Sequence, residues 1–167
     1  MRLNVSSCID NLNSTDLCRL YAYWEAKRRG RRMPTRADID PLDFTRMVGR
    51  ISMVDVLGDA ASPTSFRFRL AATPICRALG YEMTGRSLEE MPDPATRAFV
   101  TYNYVEVARS ATPLAISGAV RLDGRDWTGE CLILPLSLRE ERVERLLVAR
   151  DVSVWEGSHP MRIGAMC

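Results

Sequence analysis

The chain has 167 residues, of which 46% are hydrophobic and 26% charged, with a formal net charge of +2. That length suits one domain with a real core, and so small a charge argues against a dedicated nucleic-acid binder. No stretch approaches the roughly 18 uninterrupted apolar residues of a membrane helix, and Met1–Asp10 lacks the charged and apolar regions of a secretory signal, so a cytoplasmic protein without integral membrane association is expected.

The cysteines, Cys8, Cys18, Cys76, Cys131 and Cys167, are odd in number, widely spread and without a C-x-x-C pair. That pattern predicts reduced thiols rather than a disulfide framework or a zinc site. The single histidine, His159, falls in a polar tail.

Residues 1–14 are polar and are expected to be a mobile N-terminus. Thr15 or Asp16 then reads as an N-cap. Leu17, Leu20, Tyr21, Trp24 and Arg28 follow at helical spacing, which predicts a helix over 16–29 with one apolar face, ended by Gly30. Pro34 marks an extended stretch, and Asp40-Pro41 reads as the N-cap and first residue of a short helix over 41–48 that stops at Gly49. From Ile51 the period changes to two. Ile51, Met53, Asp55 and Leu57 alternate with Ser52, Val54 and Val56. After a turn-rich loop at 58–63, Phe66, Phe68 and Leu70 alternate with Arg67 and Arg69.

Thr73-Pro74 opens a short helix that ends at Gly80-Tyr81, only short turns fit 82–91, and Pro92-Asp93-Pro94 opens a longer helix to Arg109. Strands over 113–122, 125–138 and 143–152 follow, joined by a strong turn signal at Asp123-Gly124 and a second tight turn at 139–142. Residues 153–167 read as a tail, leaving one domain over 15–152. The expected fold is α+β: a five-stranded antiparallel sheet with helices covering one face and an N-terminal flanking helix.

This order resembles the PAS domain, and the segment Ala72–Leu88, with Gly80-Tyr81-Glu82 and Gly85-Arg86-Ser87-Leu88, is similar to the PAS core. More narrowly, Tyr23-Trp24, Gly30-Arg31, Pro34, Arg36, Asp38-Ile39-Asp40-Pro41, Phe66-Arg67-Phe68-Arg69-Leu70 and Leu134-Pro135-Leu136-Ser137 resemble a single-domain, PAS_5-like subfamily common in alphaproteobacteria. The likeness spans about residues 20–152. One departure is Ala72-Thr73, where the subfamily usually has Gly-Thr. The resemblance implies a PAS-like five-stranded sheet, and sensing, partner binding or dimerisation rather than catalysis.

No catalytic or metal-ligating set emerges from the residues. G-x-S-x-G, H-E-x-x-H and G-x-x-x-x-G-K-[ST] are all missing from the sequence. The adjacent carboxylates Glu89-Glu90 and Glu140-Glu141 do not converge on a helix or a strand. Cofactors of the family are also argued against. Photosensing flavin members carry a cysteine where this chain has Leu88, and Cys76 reads as a small buried hydrophobe. Haem members use a histidine on the long helix, and 94–109 contains none. The run Lys27-Arg28-Arg29-Gly30-Arg31-Arg32 reads as a helix C-terminus favoured by the negative dipole end, with Asp38, Asp40 and Asp43 nearby, rather than as a phosphate site.

Two questions about buried surface stay open at this level. The stripe Leu17, Leu20, Tyr21 and Trp24 suits either a homodimer face or packing on the sheet. PAS pockets lie between the inner sheet face and the covering helices. The resemblance therefore places Met53 (or Val54), Phe66, Phe68 and Ile116 in a ligand site, with Trp127 and the hydroxyls of Thr73, Tyr81 and Tyr104. The alternative is that these aromatics fill a dry core. The expected function is a sensor that binds a small molecule of unknown identity and signals to a partner protein in trans; the alternative is a ligand-free adaptor for signalling kinases.

Overall fold

The computed structural model describes residues 3–6, 9, 12–59, 62–122, 125–139 and 142–154. Helix α1, Thr15–Arg28, is capped one residue earlier than expected: the Ser14 hydroxyl accepts from the Leu17 amide at 3.4 Å. A left-handed turn at Arg29 and Gly30 ends it. The Arg31 guanidinium then donates to the last carbonyls, Lys27 O and Arg28 O, at 3.0 Å each. Lys27, Arg28 and Arg32 of the basic run are similarly engaged, with Lys27 3.5 Å from Asp43, Arg28 paired to Glu25, and Arg32 donating to Ser110 O at 2.8 Å.

Asp40 caps the next turn by accepting from the Leu42 amide at 2.9 Å. The short helix expected over 41–48 is a 3-10 segment, Pro41–Met47, broken at Phe44. Its backbone bonds, Asp43 N to Asp40 O and Val48 N to Thr45 O, span three residues rather than four.

The sheet contains β1 (Leu3–Ser6), β2 (Ile51–Asp59), β3 (Ser62–Leu70), β4 (Leu114–Leu122), β5 (Arg125–Leu136) and β6 (Arg145–Val154). All pairings are antiparallel, in the order β1-β4-β5-β6-β2-β3. The five expected strands are present. The sixth, β1, arises within the stretch expected to be a mobile N-terminus and pairs with Ala115–Gly118. The Asp123-Gly124 turn lies outside the described residues, although β4 and β5 pair up to Leu122 and Arg125. At the opposite edge, β3 is met by residues 85–87: Gly85 N donates to Phe68 O at 2.6 Å, Phe68 N donates to Arg86 O at 2.9 Å, and Arg67 bridges Ser87.

Helix α2 is Thr73–Leu79 and α3 is Pro94–Ser110. Asp93 caps α3 by accepting from the Thr96 amide at 2.8 Å, with Pro94 in the first turn, where its missing N–H has no cost.

Directly paired residues point to one side of a sheet, so the register defines two faces. Val54, Phe66, Phe68, Ile116, Cys131, Ile133, Val148 and Arg150 share the first, and Tyr104 of α3 packs its ring on Phe66 and Phe68 there. Leu132, Leu134, Leu136, Leu147 and Ala149 share the second and are only 0–1% exposed. Helix α1 covers them. Trp24 Nε1 donates to Pro135 O at 2.9 Å, while Glu130 accepts from the Asn13 and Ser14 amides and Asp151 from the Ser14 hydroxyl. Strands β5 and β6 are thus buried on both sides, which accounts for the unbroken apolar run Leu132-Ile133-Leu134-Pro135-Leu136.

This arrangement corrects the dimer-face alternative. Leu17, Leu20 and Trp24 are buried against the chain's own sheet, and only Tyr21 of that stripe stays half-buried. Burying each such side chain contributes about 1.5–3 kcal/mol, so the stripe serves the monomer.

Between α1 and β2 the chain docks on the end of β5: Arg36 N donates to Ser137 O at 2.8 Å and Ser137 N to Pro34 O at 3.1 Å. Asp38 holds this segment, accepting from Thr35 N at 2.8 Å, Thr35 Oγ1 at 2.7 Å and Arg31 Nη2 at 2.8 Å. Desolvation pushes its carboxyl up, but the Thr35 hydroxyl and amide and the Arg31 guanidinium outweigh that and bring it from 3.8 to about 2. A depressed carboxyl stabilises the fold above its unfolded value and loses that contribution as pH falls through the folded one. The side chain is 20% exposed, so solvent screening discounts the gain. Asp38→Asn is expected to cost on the order of 1 kcal/mol at neutral pH. Urea denaturation at a series of pH values should show the difference shrinking below about pH 4 and gone near pH 2.

Candidate ligand site on the inner face of the sheet

Alternation along β3 sends Arg67 and Arg69 outward, where Arg69 Nη2 reaches Asp55 at 2.8 Å, and buries Phe66 and Phe68. A register shift between Met53 and Val54 pairs Val54 with Phe68 and Met53 with Leu70. Val54 is therefore the β2 residue on the inner face. Met53 lies half-buried on the opposite face, away from this group. Leu70, which alternation alone would place on the face of Phe66 and Phe68, follows Met53 across the bulge and is 53% exposed.

Tyr104, from the middle of α3, stands against both phenylalanines. Its ring centroid lies 5.4 Å from that of Phe66 and 6.5 Å from that of Phe68, at interplanar angles of 67° and 57°. These tilted, edge-on contacts suit the ring quadrupoles. Ile116 of β4 is buried on the same face, opposite Cys131 of β5, which in turn pairs directly with Arg150 of β6.

Arg150 gives this apolar group its charge. An arginine stays protonated in proteins, and among the described residues no carboxylate pairs with this one. Its Nη1, the Tyr104 hydroxyl and Asn103 Oδ1 are shut off from solvent and lack a hydrogen-bond partner of good geometry. The other end of the Asn103 amide donates to Phe99 O at 2.8 Å. Burial pushes the Tyr104 hydroxyl and the Cys131 thiol up, with the nearby guanidinium opposing in part, so both stay protonated at neutral pH.

The remaining predicted site residues are placed elsewhere or only loosely nearby. Thr73 is exposed at the start of α2, where its amide donates to Gly49 O at 2.9 Å. Tyr81 is half-buried just past the end of α2 and packs against the core. Trp127 stands in β5 opposite Val120 and Val154, but its side chain lies outside the described part. Leu88 is buried in the core, and Cys76 is half-buried with its thiol donating to Glu82 at 3.3 Å.

Sequence reading missed Arg150, Cys131 and Asn103. The available signal was positional, since Arg150 falls in step with Leu146 and Val148 of the same strand. A concavity of about 280 Å³, lined by Asp16, Arg19, Tyr23, Phe44 and Arg46 among others, lies between α1 and the 3-10 segment. Its acids are already engaged, Asp16 with Arg50 at 2.5 Å and Asp43 with Lys27. Among the described residues no group of three histidine, cysteine or acidic side chains is arranged to hold a metal, and no helix is long and apolar enough to cross a membrane.

A protein-family model described as PAS domain, of the PAS_5 type, matches residues 12–149. That span runs from the turn before α1 into β6 and leaves out β1. No curated protein and no solved structure matches the chain.

Proposed function

The chain belongs to the PAS domain family, and from that premise we propose that it binds a small molecule on the inner face of its sheet and signals to a partner protein in trans. A sensory or signalling role follows from the family, whose domains are generally sensory or interaction modules. The ligand-binding part rests on one observation: Tyr104 Oη and Arg150 Nη1 on this face and, on the residue next to Tyr104 in α3, Asn103 Oδ1 are buried without a hydrogen-bond partner of good geometry. Each such group costs about 1–3 kcal/mol, and native cores contain few of them. A ligand that supplies their partners removes that cost, which favours the sensor over an adaptor with a dry, filled core. Phe66, Phe68, Tyr104 and Ile116 are its proposed walls. Reduced Cys18, Cys76 and Cys131 suit a cytoplasmic setting.

Native mass spectrometry of the purified chain tests this reading. The expected result is a retained small molecule; a clean apo mass would favour the adaptor. The same preparation is expected to be colourless, because Leu88 stands where flavin members carry cysteine and α3 has no histidine. A flavin or Soret absorption band would overturn that expectation.

A further inference from the structure

Among the described residues, the other partly buried arginines along the sheet are matched with acids. Arg50 meets Asp16 and Asp151, and Arg145 meets Asp55 at 2.9 Å, where Arg69 also arrives. Arg150 departs from this rule. Its directly paired neighbour is Cys131, and its same-face neighbours along the strand are Val148 and, further on, Leu146. Tyr104 does not supply the missing anion, because burial keeps the phenol protonated. A guanidinium with a nitrogen shut off from water and, among the described residues, no counter-ion is a costly arrangement unless something else brings the negative charge.

We propose that the molecule bound on this face carries a carboxylate, seated on the Arg150 guanidinium with the Tyr104 hydroxyl as a second donor, and an apolar body against Phe66 and Phe68. The proposal rests on the sensor reading above and gives the ligand its chemical class. The planar fork of an arginine fits the two oxygens of a carboxylate. One cation and one neutral hydroxyl balance a single negative charge; a phosphate dianion would leave charge uncompensated in a low-dielectric interior. The aromatic walls have no further charge to offer, so the rest of the ligand is apolar. Asn103 Oδ1, if engaged, accepts from a donor group on that body.

The test is binding of benzoate, phenylacetate and hexanoate to the full chain by calorimetry, each beside its uncharged amide. At least one acid should bind about tenfold or more tightly than its amide. Arg150→Met should abolish that preference, and Tyr104→Phe should weaken acid binding. Because each variant removes an unpartnered polar group, both are expected to unfold, without ligand, at or above the parent's temperature. A purely structural role for Arg150 would instead lower it. Should Arg150→Met fail to fold, Arg150→Lys keeps the charge, loses the fork and should still weaken acid binding. Amides that bind as well as acids would overturn the carboxylate and leave the sensor standing. So would full acid binding by Arg150→Met. Failure of all three acids also overturns it, and native mass spectrometry then judges the sensor separately: a retained neutral molecule keeps it, whereas a clean apo mass removes both.

Discussion

Trp24→Ala is expected to cost about 3–5 kcal/mol of unfolding free energy and to make the protein self-associate. Trp24 is buried, lies 6.2 Å from the near-parallel Tyr21 ring, and donates from Nε1 to Pro135 O. Alanine removes the packing and leaves a buried carbonyl without its partner, itself a loss of about 1–3 kcal/mol. It also loosens α1 over Leu132, Leu134, Leu136 and Leu147, an apolar strip buried on that face. Contiguous apolar patches of that kind bind one another. Urea denaturation measures the first effect and size-exclusion chromatography the second. Trp24→Phe, which keeps a ring and loses the donor, should fall between the parent and the alanine variant. An alanine variant with an unchanged denaturation midpoint would show that α1 is not held by this residue.

Phe68→Ala is expected to cost a similar amount, about 3–5 kcal/mol, but to fail differently. The backbone of Phe68 exchanges bonds with Gly85 and Arg86, and alanine keeps them, so the loss comes from the side chain alone. The ring packs under α3 beside Tyr104 and opposite Val54. Its removal leaves an enclosed apolar void rather than an opened surface. Voids of this kind stay dry and accept small apolar molecules. Benzene should therefore raise the unfolding temperature of Phe68→Ala and leave Trp24→Ala unimproved. A loss below about 1 kcal/mol, or equal rescue of both variants, would contradict the two-faced packing.

The local signals of the sequence were sufficient for the elements themselves. Asp93-Pro94 starts α3 where a cap and a helix-compatible proline predict it, and Phe66-Arg67-Phe68 alternates as read. The resemblance over about residues 20–152 agrees with the matched span of 12–149. What escaped depends on partners far along the chain. Leu3–Ser6 is too short to announce a strand and becomes one only against β4. The bulge that moves Met53 and Leu70 off the inner face exists in the pairing of β2 with β3, not in either strand alone. The leucines of β5 signalled burial without saying which helix lay on which side.

The candidate site shows the same division. That Phe66, Phe68, Tyr104 and Ile116 meet on one face follows from periodicity and family order, whereas a bulge and the exposed first turn of a helix put Met53 and Thr73 away from it. Arg150 was the hardest residue to read, since a charge in a strand ordinarily signals water.

The cover along the sheet edges has a consequence for life at high concentration. Over Ala115–Gly118 the outer side of β4 is taken by β1, and around Phe68 the outer side of β3 is taken by residues 85–87. Main-chain donors and acceptors in both places are already spent within the chain. A neighbouring copy cannot pair with β4 or β3 at those positions; beyond β4 it meets β1, only four residues long, and so short an edge limits the edge-to-edge growth by which open sheets seed cross-β stacks. At those two positions another protein must address β4 and β3 through their side chains.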